Sequence, residues 1–202
     1  MIRLYDKNNS PQRLEEIVRI LNDGGIIIYP TDTTYALGCH ALKERAVERI
    51  CKIKMIDPKK HPLSIVCRDL SEISHYAKVD NDTYKILRQN LPGNFTFILP
   101  AAKSLPKVFR NRNEKEVGIK IIQRPLVNSL LEVLNAPLMT ASLPIGDDEM
   151  EYLTNPELIE EKFGSSVDII IDGGEGMLGE STIVNCLDEK PEIIRQGLGE
   201  LV

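Results

Sequence analysis

Ile26-Ile27-Ile28-Tyr29-Pro30-Thr31-Asp32-Thr33-Thr34-Tyr35 places an apolar, β-branched run directly before a cluster of small polar residues. A continuous run of this kind suits a strand buried on both faces, the strand type of α/β proteins. Proline closes it. Thr31, Asp32, Thr33 and Thr34 then follow at its carboxyl end, where open α/β sheets take ligands. The cluster admits two readings. In one, Asp32 and Thr33 satisfy backbone N–H groups in a capped turn before a helix. In the other, the hydroxyls wall a pocket, with Tyr35 and Gly38, which follow them, toward its floor.

Working outward, Ser10-Pro11 reads as an N-cap and a first-turn proline. Leu14, Ile17, Val18 and Leu21 follow at helical spacing, and Gly24-Gly25 stop the helix. Residues 42–54 read as a helix with Leu42, Ala46, Ile50 and Ile53 on one face, and 63–67 as a strand. Asp69-Leu70-Ser71-Glu72 is a capping box opening a short helix. A helix over 80–90 ends at Leu91-Pro92-Gly93, a turn that delivers Thr96 into an apolar strand, where its hydroxyl needs a partner. Further strands are expected over 95–99, 117–122, 138–142, 167–171, 182–186 and 192–195, with helices over 125–134 and from Asn155-Pro156 to Phe163. Eight strands with irregular connections, several of them consecutive near the end, predict an α/β protein with a mixed sheet. No repeat or long linker interrupts the chain, so residues 1–202 read as a single domain.

The 202 residues carry 25 Lys+Arg and 30 Asp+Glu, a net charge of −5, with 42% hydrophobic and 27% charged residues. That balance is ordinary for a globular protein and excludes a disordered one. No apolar run reaches the roughly 20 residues of a membrane helix. The amino-terminal residues lack the apolar stretch of a signal peptide, so the cytoplasm is the expected compartment and no membrane partner is expected. The cysteines (39, 51, 67, 186) and histidines (40, 61, 75) lack the short paired spacings of a metal site, and neither a metal nor a disulfide framework is expected. Gly-x-Gly-x-x-Gly, Walker A and Gly-x-Ser-x-Gly motifs do not occur.

Charge is unevenly spread. Residues 1–124 hold 22 basic and 14 acidic side chains, and residues 125–202 hold 3 and 16. The stretches 43–60 and 103–124 each contain seven Lys/Arg. They read either as solvated faces or as two runs converging on one phosphate-attracting groove. A net acidic chain is not a dedicated nucleic-acid coat, although a local basic footprint is compatible with it.

Residues 29–39, Tyr-Pro-Thr-Asp-Thr-Thr-Tyr-Ala-Leu-Gly-Cys, resemble the signature of the YrdC-like family, which includes threonylcarbamoyl-AMP synthases. Pro92-Gly93-Asn94-Phe95-Thr96-Phe97-Ile98-Leu99 is similar to that family's second motif, Ser181-Thr182-Ile183-Val184 to its third, and Ile193-Ile194-Arg195-Gln196-Gly197 to its closing one. Gly93-Asn94-Phe95-Thr96 and Cys67-Arg68-Asp69-Leu70-Ser71-Glu72 resemble the spelling of the YciO branch. The resemblance implies a twisted mixed β-sheet flanked by helices, with a large concave positively charged groove. It implies a nucleotidyl transfer in which ATP, L-threonine and bicarbonate give threonylcarbamoyl-adenylate and pyrophosphate, with Mg²⁺ carried on ATP, in the service of tRNA modification. The alternative it implies is a YciO-type protein that binds double-stranded RNA, tRNA or a nucleotide without full synthase activity.

By the same resemblance, Lys54 matches a catalytic and nucleotide-binding lysine. Thr33, Thr96, Lys120 and Ser181 match substrate-binding positions, and Ser142 and Arg195 match nucleotide-binding ones. Four family grips are altered. Ile56 stands where the arginine of Lys-x-Arg belongs, with Lys59 or Lys60 as the nearby substitute, although lysine lacks the guanidinium's bidentate fork. Pro144 replaces the asparagine of Ser-x-Asn. Lys120 and Ile122 replace the arginine and proline of Val-Arg-x-Pro, and Val66 or Cys67 stands where a histidine is expected.

Overall fold

A computed structural model describes residues 1–7, 9–110, 115–144, 147–188 and 190–202. Strand β1 (Ile2–Arg3) and helix α1 (Pro11–Asn22) lead into β2 (Ile26–Pro30) and β3 (Tyr35–His40). Then follow α2 (Glu44–Lys54), β4 (Ser64–Val66), α3 (Leu70–Tyr76), α4 (Asn81–Asn90), β5 (Phe95–Pro100) and β6 (Glu116–Lys120). Helix α5 (Pro125–Leu134), β7 (Leu138–Ser142), α6 (Pro156–Phe163), β8 (Ile169–Asp172), β9 (Thr182–Asn185) and β10 (Glu192–Arg195) complete the chain.

The strands form one sheet in the order β1-β8-β2-β3-β7-β4-β6-β5-β9-β10. The pairs β1–β8, β8–β2, β4–β6 and β5–β9 are parallel, and the others antiparallel. The mixed sheet anticipated from the irregular connections is therefore present, with ten strands where eight were expected. Each addition has a weak local signal, for a different reason. Strand β1 is only two residues long, and β3 reads Tyr-Ala-Leu-Gly-Cys-His, whose small residues carry weak strand propensity. Tertiary context overrides that weakness: all six residues of β3 are buried between β2 and β7. The polar cluster at 31–34 is thus a hairpin turn between antiparallel β2 and β3, with Pro30 opposite Tyr35, rather than the start of a helix. Helix α2 begins two residues later than expected, so Leu42 is 40% exposed, and Ala46, Val47, Ile50 and Cys51 form the buried face.

Side-chain alternation sends successive residues to opposite faces of the sheet. Ile26, Ile28, Leu37, Cys39, Ile65, Phe97, Ile119 and Met139 pack with α2, and with Ile159 and Phe163 of α6, on one face. Ile27, Tyr29, Ala36, Val66, Leu138 and Ile171 pack with α1 and α5 on the other. Among the described residues, that second cluster takes nothing from β5, β9 or β10. The far half of this face is therefore left without a helical cover, and the concavity opens there.

Candidate functional site

Four adjacent strands place short residues in one row across the sheet. Gly38 of β3 pairs with Thr140 of β7, Thr140 with Ser64 of β4, and Ser64 with Gly118 of β6. A Cβ at Gly118 would collide with the Ser64 hydroxyl. Ser64 and Thr140 of this row line a hollow of about 220 Å³. Typical drug-sized ligand sites hold about 300–1,000 Å³, so the enclosed part suits a metabolite the size of an amino acid, with its mouth open to something larger.

Thr33, Thr96, Lys120, Ser142, Ser181 and Arg195 all line this cavity. Lys54, at the end of α2, reaches the rim: its Nζ donates to Ser142 Oγ at 2.7 Å and approaches the Leu143 carbonyl at 3.4 Å. The seven residues singled out from sequence are thereby brought to one place. Thr31 and Thr34 of the turn cluster line it as well, and so do Ser64, Thr140 and Glu180, which sequence reading missed. For the β7 residue the signal is a polar side chain at alternate strand positions, Thr140-x-Ser142.

The hydrogen bonds give the hydroxyls definite polarities. Thr31 Oγ1 donates to the Thr34 carbonyl at 2.6 Å and accepts from the Thr33 backbone N–H at 3.0 Å. Its one proton is used, so the 3.0 Å contact between the two hydroxyls is donated by Thr33. Thr33 then presents acceptor lone pairs to the cavity. Thr31, rather than Asp32 or Thr33, is the side chain that caps the turn. Across the cavity Thr96 Oγ1 and Ser181 Oγ lie 2.9 Å apart, uniting β5 with the segment before β9.

Charge is concentrated at few points. Lys120 sits where burial disfavours its ammonium and lowers its pKa below 10.5, while Asp32 opposes that shift. Burial likewise raises the Asp32 carboxyl above its usual range, against the pull of Lys120. Asp32 Oδ2 accepts from the Gln123 N–H at 3.3 Å, and its Oδ1 is buried with no partner among the described residues. Arg195 donates to Glu180 Oε1 at 3.0 Å and to the Ser181 carbonyl at 2.9 Å, which holds the β9 lead-in against β10. Burial also lowers the Lys54 ammonium, and Glu180 partly offsets it. Arg124 braces the site from behind, donating to the carbonyls of Thr31 at 3.0 Å and Gly173 at 2.6 Å.

The two basic runs meet each other rather than the cavity. Helix α2 touches the short 3-10 turn at 107–110, where the Val108 N–H donates to Glu44 at 3.1 Å. Only Lys54 from the first run and Lys120 from the second reach the site; Arg112 lies outside the described residues. Among the described residues the cavity is a hydroxyl-lined hollow with Lys120, Arg195 and the Glu180 carboxylate in its lining and Lys54 at its rim. Ile56, in the place of the family arginine, packs against the core, and neither Lys59 nor Lys60 lines the cavity. Among the described residues no group of three or more His, Cys, Asp or Glu side chains is arranged to hold a metal ion, and no helix is long and apolar enough to cross a membrane.

Comparison with known proteins fits this geometry. The Sua5/YciO/YrdC family, described as "Telomere recombination", matches residues 19–197. The YciO protein of Escherichia coli (strain K12) is 37% identical over 96% of this chain and 94% of its own length. Its crystal structure superposes with a TM-score of 0.91 over 98% of this chain and 96% of that one, at 34% identity. A putative threonylcarbamoyl-AMP synthase of Methanocaldococcus jannaschii is 33% identical over 98% of this chain and 93% of its own. The crystal structure of Pyrococcus abyssi Sua5 complexed with L-threonine superposes with a TM-score of 0.86 at 25% identity, covering 97% of this chain and 57% of that longer one.

Proposed function

The chain belongs to the Sua5/YciO/YrdC family, and we propose that its cavity is the substrate site of a threonylcarbamoyl-AMP synthase-like nucleotidyltransferase. The observation that carries this reading is the convergence of alcohols from four distant stretches, Thr33, Thr96, Ser142 and Ser181, around Lys120 and Arg195. In this reading L-threonine lies in the enclosed part and is carboxylated on nitrogen by bicarbonate, with loss of water. A carbamate oxygen then forms a bond to the α-phosphorus of ATP, and the bond to pyrophosphate breaks.

The protein's share is to hold the two reactants in line and to meet negative charge on the leaving group. Thr33, Thr96 and Ser181 orient threonine. Lys54, Ser142 and Arg195 face the nucleotide at the mouth, and Lys120 supplies positive charge deeper in. Mg²⁺ enters as MgATP, bound through the phosphates rather than by a resident cage of carboxylates.

The test is purified, folded protein with MgATP, bicarbonate and L-threonine. Threonine-dependent pyrophosphate release is expected, and its absence contradicts the proposal. A second reading rests on Ile56 and Pro144, which remove two polar grips, and on the basic surface where α2 meets residues 107–110. In it the protein binds tRNA, double-stranded RNA or a nucleotide without full turnover. Phosphate-driven binding of RNA falls steeply with salt, so affinity that is flat between ~50 and ~200 mM salt contradicts this second reading.

A further inference from the structure

Strand β10 carries one residue more than its partner can match. Glu192 pairs with Asn185 and Ile193 with Val184, but the next pair is Arg195 with Ile183, so Ile194 is an extra residue in the ladder. A bulge of this kind turns the residues beyond it to the other face of the strand. Residues opposite one another share a face. Ile183 lines the cavity, whereas Val184 belongs to the core on the opposite face. In an unbroken ladder Ile194 would stand opposite Ile183. Arg195 would then stand opposite Thr182, which pairs with Phe95 on the core side. The bulge instead leaves Ile194 57% exposed and brings Arg195 to the cavity.

The segment after Arg195 holds the bulge in place. Thr182 Oγ1 accepts from the Gly197 N–H at 2.9 Å and donates to the Gly199 carbonyl at 2.6 Å. The Gln196 amide donates to Thr182 Oγ1 at 3.3 Å and to the Gly199 carbonyl at 2.7 Å. Residue 197 is glycine because a Cβ there would collide with the Glu180 carbonyl. Thr182 is fully buried, and its one proton and both lone pairs are used in these bonds, so it has nothing to offer a ligand. We infer that Thr182 is a positioning residue: by fastening Gly197 and Gly199 it maintains the bulge that aims Arg195 at the cavity mouth. Glu180 and the Ser181 carbonyl then steady the guanidinium so aimed. The inference rests on the reading of Arg195 as a nucleotide grip.

The test is calorimetric titration of the full chain with MgATP, paired with NMR hydrogen exchange of the Arg195 Nε–H, a buried group whose signal is assigned by its loss in Arg195→Met. Arg195→Met is expected to weaken MgATP binding about 10- to 100-fold. Thr182→Val keeps the shape without the hydroxyl. It is expected to weaken binding about 5- to 20-fold and to speed exchange of the Nε–H at least about tenfold. Thr182→Ser keeps the hydroxyl and stays within about twofold of the wild type in both. In the Arg195→Met background Thr182→Val costs less than about twofold more, because the group it aims is gone. A merely structural threonine would weaken binding by the same factor in both backgrounds. That result overturns the inference, as does wild-type exchange in Thr182→Val. Should Thr182→Val fail to fold, Gln196→Met, at an exposed position, takes its place under the same criteria. Wild-type protein that does not bind MgATP contradicts the nucleotide reading of the mouth, and the exchange rates alone then decide Thr182. Faster exchange in Thr182→Val with normal exchange in Thr182→Ser supports the inference, and equal rates overturn it.

Discussion

Thr96 Oγ1 and Ser181 Oγ lie 2.9 Å apart although 85 residues separate them in sequence. The bond exists because β5 and β9 are parallel neighbours, with Thr96 opposite Ile183, which brings two motifs into one wall. Both side chains are buried, so removing one hydroxyl strands the other at a cost of about 1–3 kcal/mol. Thr96→Val and Ser181→Ala are each expected to destabilise the fold by about that much, and the double variant by less than the sum. Urea unfolding of the four proteins checks this, and strict additivity contradicts it.

The hairpin turn separates a structural from a functional threonine. Thr31 caps the turn with its only proton, whereas Thr33 points its lone pairs into the hollow. Thr31→Val is expected to lose about 1–3 kcal/mol of stability. Thr33→Val is expected to lose less than about 1 kcal/mol, yet to weaken L-threonine binding about tenfold. Denaturant melts and calorimetry on both variants give the comparison, and a loss above about 2 kcal/mol in Thr33→Val would assign its hydroxyl to the turn instead.

Lys54 is half-buried at the rim of the cavity and is tied to Ser142 Oγ at 2.7 Å. Its loss should therefore spare folding. Lys54→Met is expected to retain the wild-type melting temperature and to slow pyrophosphate release about 10²- to 10³-fold, the usual effect of deleting one preorganised charge-stabilising donor. An unchanged rate would remove Lys54 from the chemistry.

Lys120 and Asp32 form a charge pair in which each moderates the other's burial. Because the Lys120 pKa is lowered on folding, the folded state holds this proton less tightly than the unfolded chain. Stability therefore rises as pH climbs through the folded value toward 10.5, the point at which the unfolded lysine loses its proton. Relative to Lys120→Met, the wild type gains stability over that window. Asp32→Asn removes the opposing charge and is expected to move Lys120 further below 10.5, as an NMR titration of its ε-methylene would show. A rise would contradict the pairing.

Much of the fold was legible because several helices and strands carry strong local signals. Pro11, Pro125 and Pro156 each open a helix at its first position, and the apolar residues at helical spacing in α1 are the buried ones. Strand β3 was not legible, because Ala36, Gly38 and Cys39 are selected by what they adjoin rather than by propensity. Gly38 makes room for the Tyr29 ring, a contact between strands that local sequence does not reveal. The site divides in the same way. Thr33, Thr96, Ser181 and Arg195 stand in recognisable motifs. Ser64 and Thr140 act through register, and only the pairing of β7, β4 and β6 places them side by side. The charge runs misled for a related reason, since nearness in sequence said nothing about which face of α2 each cation would take.

The central claim is that L-threonine occupies the hollow between Thr33, Thr140, Lys120 and the Thr96–Ser181 pair. A crystal structure of the protein grown with L-threonine and a non-hydrolysable ATP analogue tests it most directly. The account predicts amino-acid density enclosed by those side chains and nucleotide density at the mouth near Lys54, Ser142 and Arg195. An empty hollow, with the ligands bound elsewhere on the surface, would contradict it.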